Sequence, residues 1–255
     1  MLILALLGAA VVGLSLGLMG SGGSILAVPV LVYLVGQDEK VAIAGSMGIV
    51  AAISAIAAIP YARRGLVAWR SVLWFGLPGM AGAWIGAAAS KHVSGAVQLS
   101  VFAALMLVAA YMMLRPAREA AQAASRAAGL VVVDGLVVGS VTGFVGVGGG
   151  FLIVPALVLL GGLEMRNAVA TSLVVIALKS AVGFAKHLEV IDSLGLALDW
   201  QVIGLFVAAG VAGSHGGSIL AACIPQAALK RAFGVFLLVM GAAIVAQNWS
   251  RVVGA

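Results

Sequence analysis

Residues 17–29 read GLMGSGGSILAVP, and residues 143–155 read GFVGVGGGFLIVP. Seven of the thirteen positions match: Gly17/Gly143, Gly20/Gly146, Gly22/Gly148, Gly23/Gly149, Leu26/Leu152, Val28/Val154 and Pro29/Pro155. The offset of 126 runs on without a gap through Ser46/Ser172 to Ser54/Ser180. After a five-residue insertion it becomes 131, pairing Trp69 with Trp200, Gly79 with Gly210, Gly82 with Gly213, Gly86 with Gly217 and Phe102 with Phe233. The chain is therefore a duplication, with repeats at 1–114 and 129–255 and a charged, alanine-rich connector at 115–128.

The surroundings of these motifs set the class. Of 255 residues, 64% are apolar and 9% charged, against roughly a quarter charged in soluble domains. Mean hydropathy is +1.23. A water-soluble enzyme and a disordered chain are both excluded by this balance. A single cysteine, Cys223, excludes a disulfide framework and a cysteine-rich metal site. The net charge of +6 reads as loop charge beside anionic lipid, not as a nucleic-acid footprint. The start Met1-Leu2-Ile3-Leu4-Ala5 lacks a basic region and reads as a first membrane segment, not as a cleaved signal.

The apolar runs are continuous, as membrane helices require, and do not alternate as barrel strands would. Full-length segments are expected at 41–61, 70–90, 98–114, 129–147, 167–187, 201–222 and 230–247, with a slightly short one at 2–19. Two pieces, 25–36 and 151–162, have twelve residues each. They reach about 18 Å, short of a hydrocarbon core of roughly 30 Å. The expected fold is all-α: a polytopic membrane protein of ten segments in two five-segment repeats. Because five is odd, the repeats should be inverted. With the amino terminus on one side, nine loop cations (Arg63, Arg64, Arg70, Arg115, Arg118, Arg126, Arg166, Lys230, Arg231) fall on the other, against Lys40, Lys91, Lys186 and Arg251 on the first. The richer side should be cytoplasmic, with both termini outside.

Inverted repeats with broken helices are a common plan of secondary transporters. A glycine turn at membrane depth frees N–H groups that must face protein or a wet cavity. At the positive end of a short helix these groups make an anion site. Gly20, Ser21, Gly22, Gly23 and Ser24 in the first cluster, and Gly146, Gly148, Gly149 and Gly150 in the second, are the candidate substrate-binding residues. The competing reading is that these glycines only let helices cross closely. No Lys-Ser/Thr ending follows, so neither cluster is a nucleotide loop.

Lys179 lies inside the apolar run LVVIALKSAVGF. A lysine at that depth costs about 2.5–3.5 kcal/mol, which a permeant anion would offset. Its alternatives are a bond to free carbonyls or snorkelling to an interface. Ser46, Thr171 and Ser172 are further candidate donors to the substrate, although serines and threonines also bond carbonyls of the preceding turn. Ser54 and Ser180 are weaker candidates of the same kind. Asp134 and His215 are candidates for proton coupling. His92 and His187 are expected to face the interface, where Trp69, Trp200 and Trp249 read as anchors. No metal-ligand spacing, catalytic constellation or cofactor motif is apparent, so a membrane enzyme is disfavoured.

The pattern Gly146-x-Gly148-Gly149-Gly150-x-x-x-Val154-Pro155, with its twin in the first repeat, resembles the signature of the TauE/SafE sulfite exporter family. The run Ala168-Val169-Ala170-Thr171-Ser172, the segment Gly213-Ser214-His215-Gly216-Gly217 and the Trp200 region resemble further parts of that family's pattern. The resemblance runs from about residue 7 to 247. It implies a multi-pass permease of the bacterial inner membrane that moves small sulfur-containing anions, sulfite or organosulfonates, in the direction of export. The chain departs from the pattern in the extra polarity of Ser21 and Ser24, and in Lys179, where a neutral residue is usual. The alternatives are a permease for another small anion such as a carboxylate, or a non-transporting accessory subunit. The expected partners are the substrate anion and the bilayer. Whether two copies pair as a homodimer is left open.

Overall fold

The computed structural model describes residues 2–20, 22–115, 128–145, 150–159 and 161–253, and among them every regular element is helical. The first half holds α1 (Leu2–Met19), α2 (Gly22–Pro29), α3 (Glu39–Arg63), α4 (Trp69–Ser71), α5 (Leu77–Ser90) and α6 (Gly95–Leu114). The second holds α7 (Ala128–Val145), α8 (Gly150–Leu159), α9 (Met165–Ser193), α10 (Trp200–Cys223) and α11 (Gln226–Val253). Among the described residues, six spans are long and apolar enough to cross a bilayer: Glu39–Arg63, Trp69–Ser90, Gly95–Leu114, Met165–Ser193, Trp200–Cys223 and Ala227–Ala246. The two pieces expected to be short are short. α2 and its continuation end at Val35, and α8 has ten residues, about 15 Å.

Local chemistry explains the boundaries. Gly20 ends α1 at φ +72°, a conformation that favours glycine, with its N–H on the Leu16 carbonyl at 2.8 Å. Asp38, Ser94 and Asp199 cap α3, α6 and α10 by accepting from backbone N–H groups of the first turn. Two stretches widen into π-helical turns, Val30–Val35 and Val72–Gly76. Each adjoins a proline, Pro29 or Pro78, whose missing N–H breaks the regular ladder.

Glycine sets the helix pairing. Gly13 meets Gly210 and Gly17 meets Ser214 so closely that a Cβ would lie 1.8 and 2.0 Å from the facing carbonyl oxygens. α1 and α10 therefore run parallel with backbones in contact, the small-residue mode of membrane packing. α5 and α7 pair in the same way, Gly139 on Gly79 and Gly143 on Ala83. α9 follows the direction of α5, with Val175 against Gly76 and Lys179 against Gly79. α3 follows α10, with Ile203 near Gly45 and Ile53 on Gly210. α3 and α9 form the central pair. Gly48 touches Phe184 near one end, while Tyr61 and Arg64 share a cavity with Val169 and Arg166 at the other, so the two helices are antiparallel. α6 packs against α11. Outward faces carry Trp69, Trp74, Trp84 and Trp200, all exposed, as suits a lipid-facing surface with interfacial aromatics.

One expectation is corrected. The sequence places His187 at a helix end facing the interface, but α9 continues to Ser193 and His187 is buried, 1% exposed. Its Nε2 lies 3.2 Å from the Gly143 carbonyl and is the donor to it. The helix outlasts its apolar run because the added turns bury Val190 and Ile191, the latter against Val41 and Ala44 of α3, while Lys186 pairs with Glu189 on the outer side.

Candidate transport site

The site is assembled around α3 and α9. Lys179 is the midpoint of α9, fourteen residues from either end. It is 1% exposed, and its Nζ has no hydrogen-bond partner among the described residues. Its stem lies against Gly79 of α5, where a Cβ would come 3.0 Å from Cδ. It therefore neither snorkels to water nor caps a described carbonyl. Ser54 Oγ is also buried without a partner among the described residues. Ser54 lies between the Gly48 and Tyr61 contacts of α3, and so at the same depth as the middle of α9. These two orphaned polar atoms lie on the two central helices. A buried donor without an acceptor costs about 1–3 kcal/mol.

The Gly20 turn and the hydroxyls of Thr171 and Ser172 lie about two helical turns from Lys179. Gly20 sits directly on α9, where a Cβ would meet Ser172 Oγ at 2.7 Å and the Val169 carbonyl at 2.9 Å. Gly22 opens α2. Gly23 faces the other way and packs on Val12 and Leu16 of α1, a close-crossing role. Ser24 is buried and partnered. Ser46 and Ser172, which occupy equivalent repeat positions, each donate to the carbonyl three residues back, Ile43 and Val169, at 2.8 Å. Thr171 Oγ1 accepts from the Ala68 N–H at 2.9 Å, tying α9 to the turn before α4. Gly150 opens α8. Ser21, Gly146, Gly148 and Gly149 lie outside the described residues.

The two proton-coupling candidates stand apart from this centre. Asp134 is half-buried on α7 beside Gly135, which touches Phe75, and it has an interaction partner. His215 is exposed on α10, between glycines 213 and 217 that face α1. Among the described residues no group of three metal-ligating side chains occurs.

Sequence reasoning missed the polar residues at the two ends of the central pair. At one end a cavity of about 260 Å³ is lined by Leu18, Tyr61, Arg64, Arg166, Val169 and Ser218, among others. Tyr61, buried, donates to the Gly17 carbonyl at 2.9 Å. At the other end Lys40 Nζ donates to the Ser90 carbonyl at 2.7 Å and to Gln98 Oε1 at 2.5 Å, and Gln98 Nε2 donates to the Phe144 carbonyl. A signal was present. Tyr61 and His187 are 126 apart, as are Gly17 and Gly143, and each pair makes the same bond. Lys40 and Arg166 are also 126 apart.

Helices crossing on glycine faces, outward aromatics and buried mid-helix polar atoms define a multi-pass helical membrane protein. The family model described as Sulfite exporter TauE/SafE matches residues 5–244. A probable membrane transporter protein of Xylella fastidiosa (strain 9a5c) is 33% identical over 95% of this chain and 94% of its own. A probable membrane transporter protein of Haemophilus influenzae is 27% identical over 94% of this chain and 96% of its own. The probable membrane transporter protein YunE of Bacillus subtilis is 30% identical over 70% of this chain and 76% of its own. No solved structure matches. The chain belongs to the TauE/SafE sulfite exporter family and is a membrane transporter.

Proposed function

We propose that this transporter carries small sulfur-containing anions, sulfite or organosulfonates, outward across the cytoplasmic membrane, and binds them at mid-depth between α3 and α9. The observation that carries the reading is the Lys179 ammonium, buried at the centre of α9 with no hydrogen-bond partner among the described residues. Such a charge asks for a counter-charge that comes and goes, because a permanent one would be part of the fold. Ser54 Oγ offers a second donor at the same depth, also without a partner among the described residues. The Gly20 turn lies two helical turns from Lys179, on Ser172. The sulfur preference and the outward direction rest on the family.

The inverted repeat belongs to the same proposal. Its support is directional. α1, α3 and α10 run one way, and α5, α7 and α9 the other, so the repeat-equivalent pairs α1/α7 and α3/α9 are opposed. Arg64 and Arg166 line a cavity at one end of the bundle, and the loop arginines make that end the cytoplasmic one. Both termini are then outside. Alternating exposure of a fixed midplane site follows from the two-fold plan.

The test is thermal unfolding of the purified protein against sulfite, thiosulfate, sulfate, taurine, sulfoacetate, acetate and chloride at constant ionic strength. A ligand of the folded state adds about 2.7 kcal/mol at a hundredfold excess over its Kd. A rise specific to a sulfur anion that is lost in Lys179→Ile is the expected result. An equal response in the variant removes Lys179 from the site, and a rise with acetate alone moves the substrate to carboxylates.

A further inference from the structure

We propose that the Arg64–Arg166 cavity is a second, shallower oxyanion site, a vestibule that captures the anion before it reaches the Gly20 turn. The inference rests on the transporter reading for its purpose and on the cavity's own chemistry for its ligand. Two guanidinium groups, one from the end of α3 and one from the first turn of α9, line a single cavity of about 260 Å³. Among the described residues neither meets a carboxylate. Arg166 has a long bond of 3.4 Å to the Ala222 carbonyl, which uses one of its five N–H donors. The remaining forks suit the oxygens of a sulfite, sulfonate, sulfate or phosphate group. Leu18, Leu66 and Val169 make part of the wall apolar, and low-dielectric walls focus the field of like charges.

The position gives the cavity a use. Val169 lines it and also carries the carbonyl on which Gly20 sits, with Ser172 beside it. The buried Tyr61 lines it too, its hydroxyl on the Gly17 carbonyl. The route from vestibule to glycine turn is therefore one residue thick. The opposite end of the central pair differs. Lys40, which occupies the repeat position of Arg166, is engaged by Ser90 and Gln98. The positions equivalent to Arg64 and Gln98 are Val190 and Leu229. Two cations that meet no carboxylate among the described residues thus line one cavity at one end, while at the other Lys40 is engaged by Ser90 and Gln98 and Lys186 by Glu189.

The ligand chemistry is a tetrahedral or pyramidal oxyanion group, which a free anion or a lipid phosphate could supply. The experiment places a thiol in the wall, Ser218→Cys in a Cys223→Ser background, with Ala221→Cys as a second position. The full chain, in phosphatidylcholine nanodiscs, is labelled with an anionic sulfonatoethyl or a cationic trimethylammonioethyl methanethiosulfonate. The expected bias towards the anionic reagent, relative to a free thiol, is about tenfold or more. Sulfate should slow that labelling, and Arg64→Gln with Arg166→Gln should remove both effects. No bias and no protection in folded protein, or protection that survives the double glutamine variant, overturns the proposal. Repeating the protection with phosphatidylglycerol present separates the sources. Displacement of sulfate assigns the vestibule to a lipid headgroup, and unchanged protection assigns it to the free anion. Lys179→Ile in the same background should keep the bias, so loss of the midplane site and loss of the vestibule are told apart.

Discussion

Lys179 holds in the second repeat the place that Ile53 holds in the first. The two are 126 positions apart, and each rests on the equivalent glycine of a neighbouring helix. A Cβ on Gly79 would meet Lys179 Cδ, and one on Gly210 would meet Ile53 Cδ1. The lysine stem thus fills an aliphatic packing position, and the ammonium is an addition that packing does not require.

Lys179→Ile should therefore fold, and fold more stably in the absence of substrate. The buried Nζ has no described partner, and removal of such a group returns about 1–3 kcal/mol. Reversible unfolding in mixed micelles measures this. A destabilised variant would show that the ammonium has a structural partner.

The glycine faces predict a sharp contrast on two paired helices. At Gly13 a Cβ would lie 1.8 Å from the Gly210 carbonyl oxygen, whereas at Gly216 on α10 nothing lies within 4 Å. Gly13→Ala must push α1 off α10 and should cost about 1–3 kcal/mol, as overpacking does. Gly216→Ala should leave the midpoint of thermal unfolding unchanged. Equal effects would mean that α1 and α10 are not held by close backbone contact.

These contrasts also show what was legible in advance. The ten apolar segments, of which 69–90 is divided into α4, a π-helical turn and α5, the two short pieces and the duplication follow from apolar run length and a fixed offset, both local properties of the sequence. The π-helical turns at Val30–Val35 and Val72–Gly76 were not foreseen, because a proline marks a break without saying how the ladder reforms around it. His187 was misplaced because charge at 186 and 189 reads as a helix end, while the helix continues to Ser193. Tyr61 and Gln98 escaped notice, and Lys40 was read only as a loop cation, for a related reason. Polar side chains near segment ends read as interfacial, and only the packing of α3 on α9 and α6 turns them inward. Lys179 was legible because an isolated charge in an apolar run has few bland explanations.

Gln98 should act as a tie at the end opposite the cavity. It is fully buried, accepts from Lys40 and donates to the Phe144 carbonyl, linking α3, α6 and α7. Gln98→Leu copies the residue at its repeat position, Leu229, and leaves Lys40 with the Ser90 carbonyl alone. Backbone amides of 139–145 should then exchange about five- to 150-fold faster, since a buried bond of this kind holds about 1–3 kcal/mol. Amides near Gly17, at the other end, should not change. Uniform acceleration would indicate global destabilisation and no local tie.

Thr171 separates a structural hydroxyl from a substrate-binding one. Its Oγ1 accepts from the Ala68 N–H at 2.9 Å, while its own proton meets no acceptor among the described residues and could be donated to an anion. Thr171→Ser retains both functions and should behave as the parent in unfolding and in the anion panel. Thr171→Val keeps the shape but leaves the Ala68 N–H without its acceptor, at a cost of about 1–3 kcal/mol. If Thr171 also touches substrate, the valine variant loses the anion-dependent rise in addition to that fixed cost. If it only anchors the turn before α4, the rise is preserved on a lower baseline. Unfolding midpoints with and without saturating anion, measured for all three proteins, distinguish the two roles.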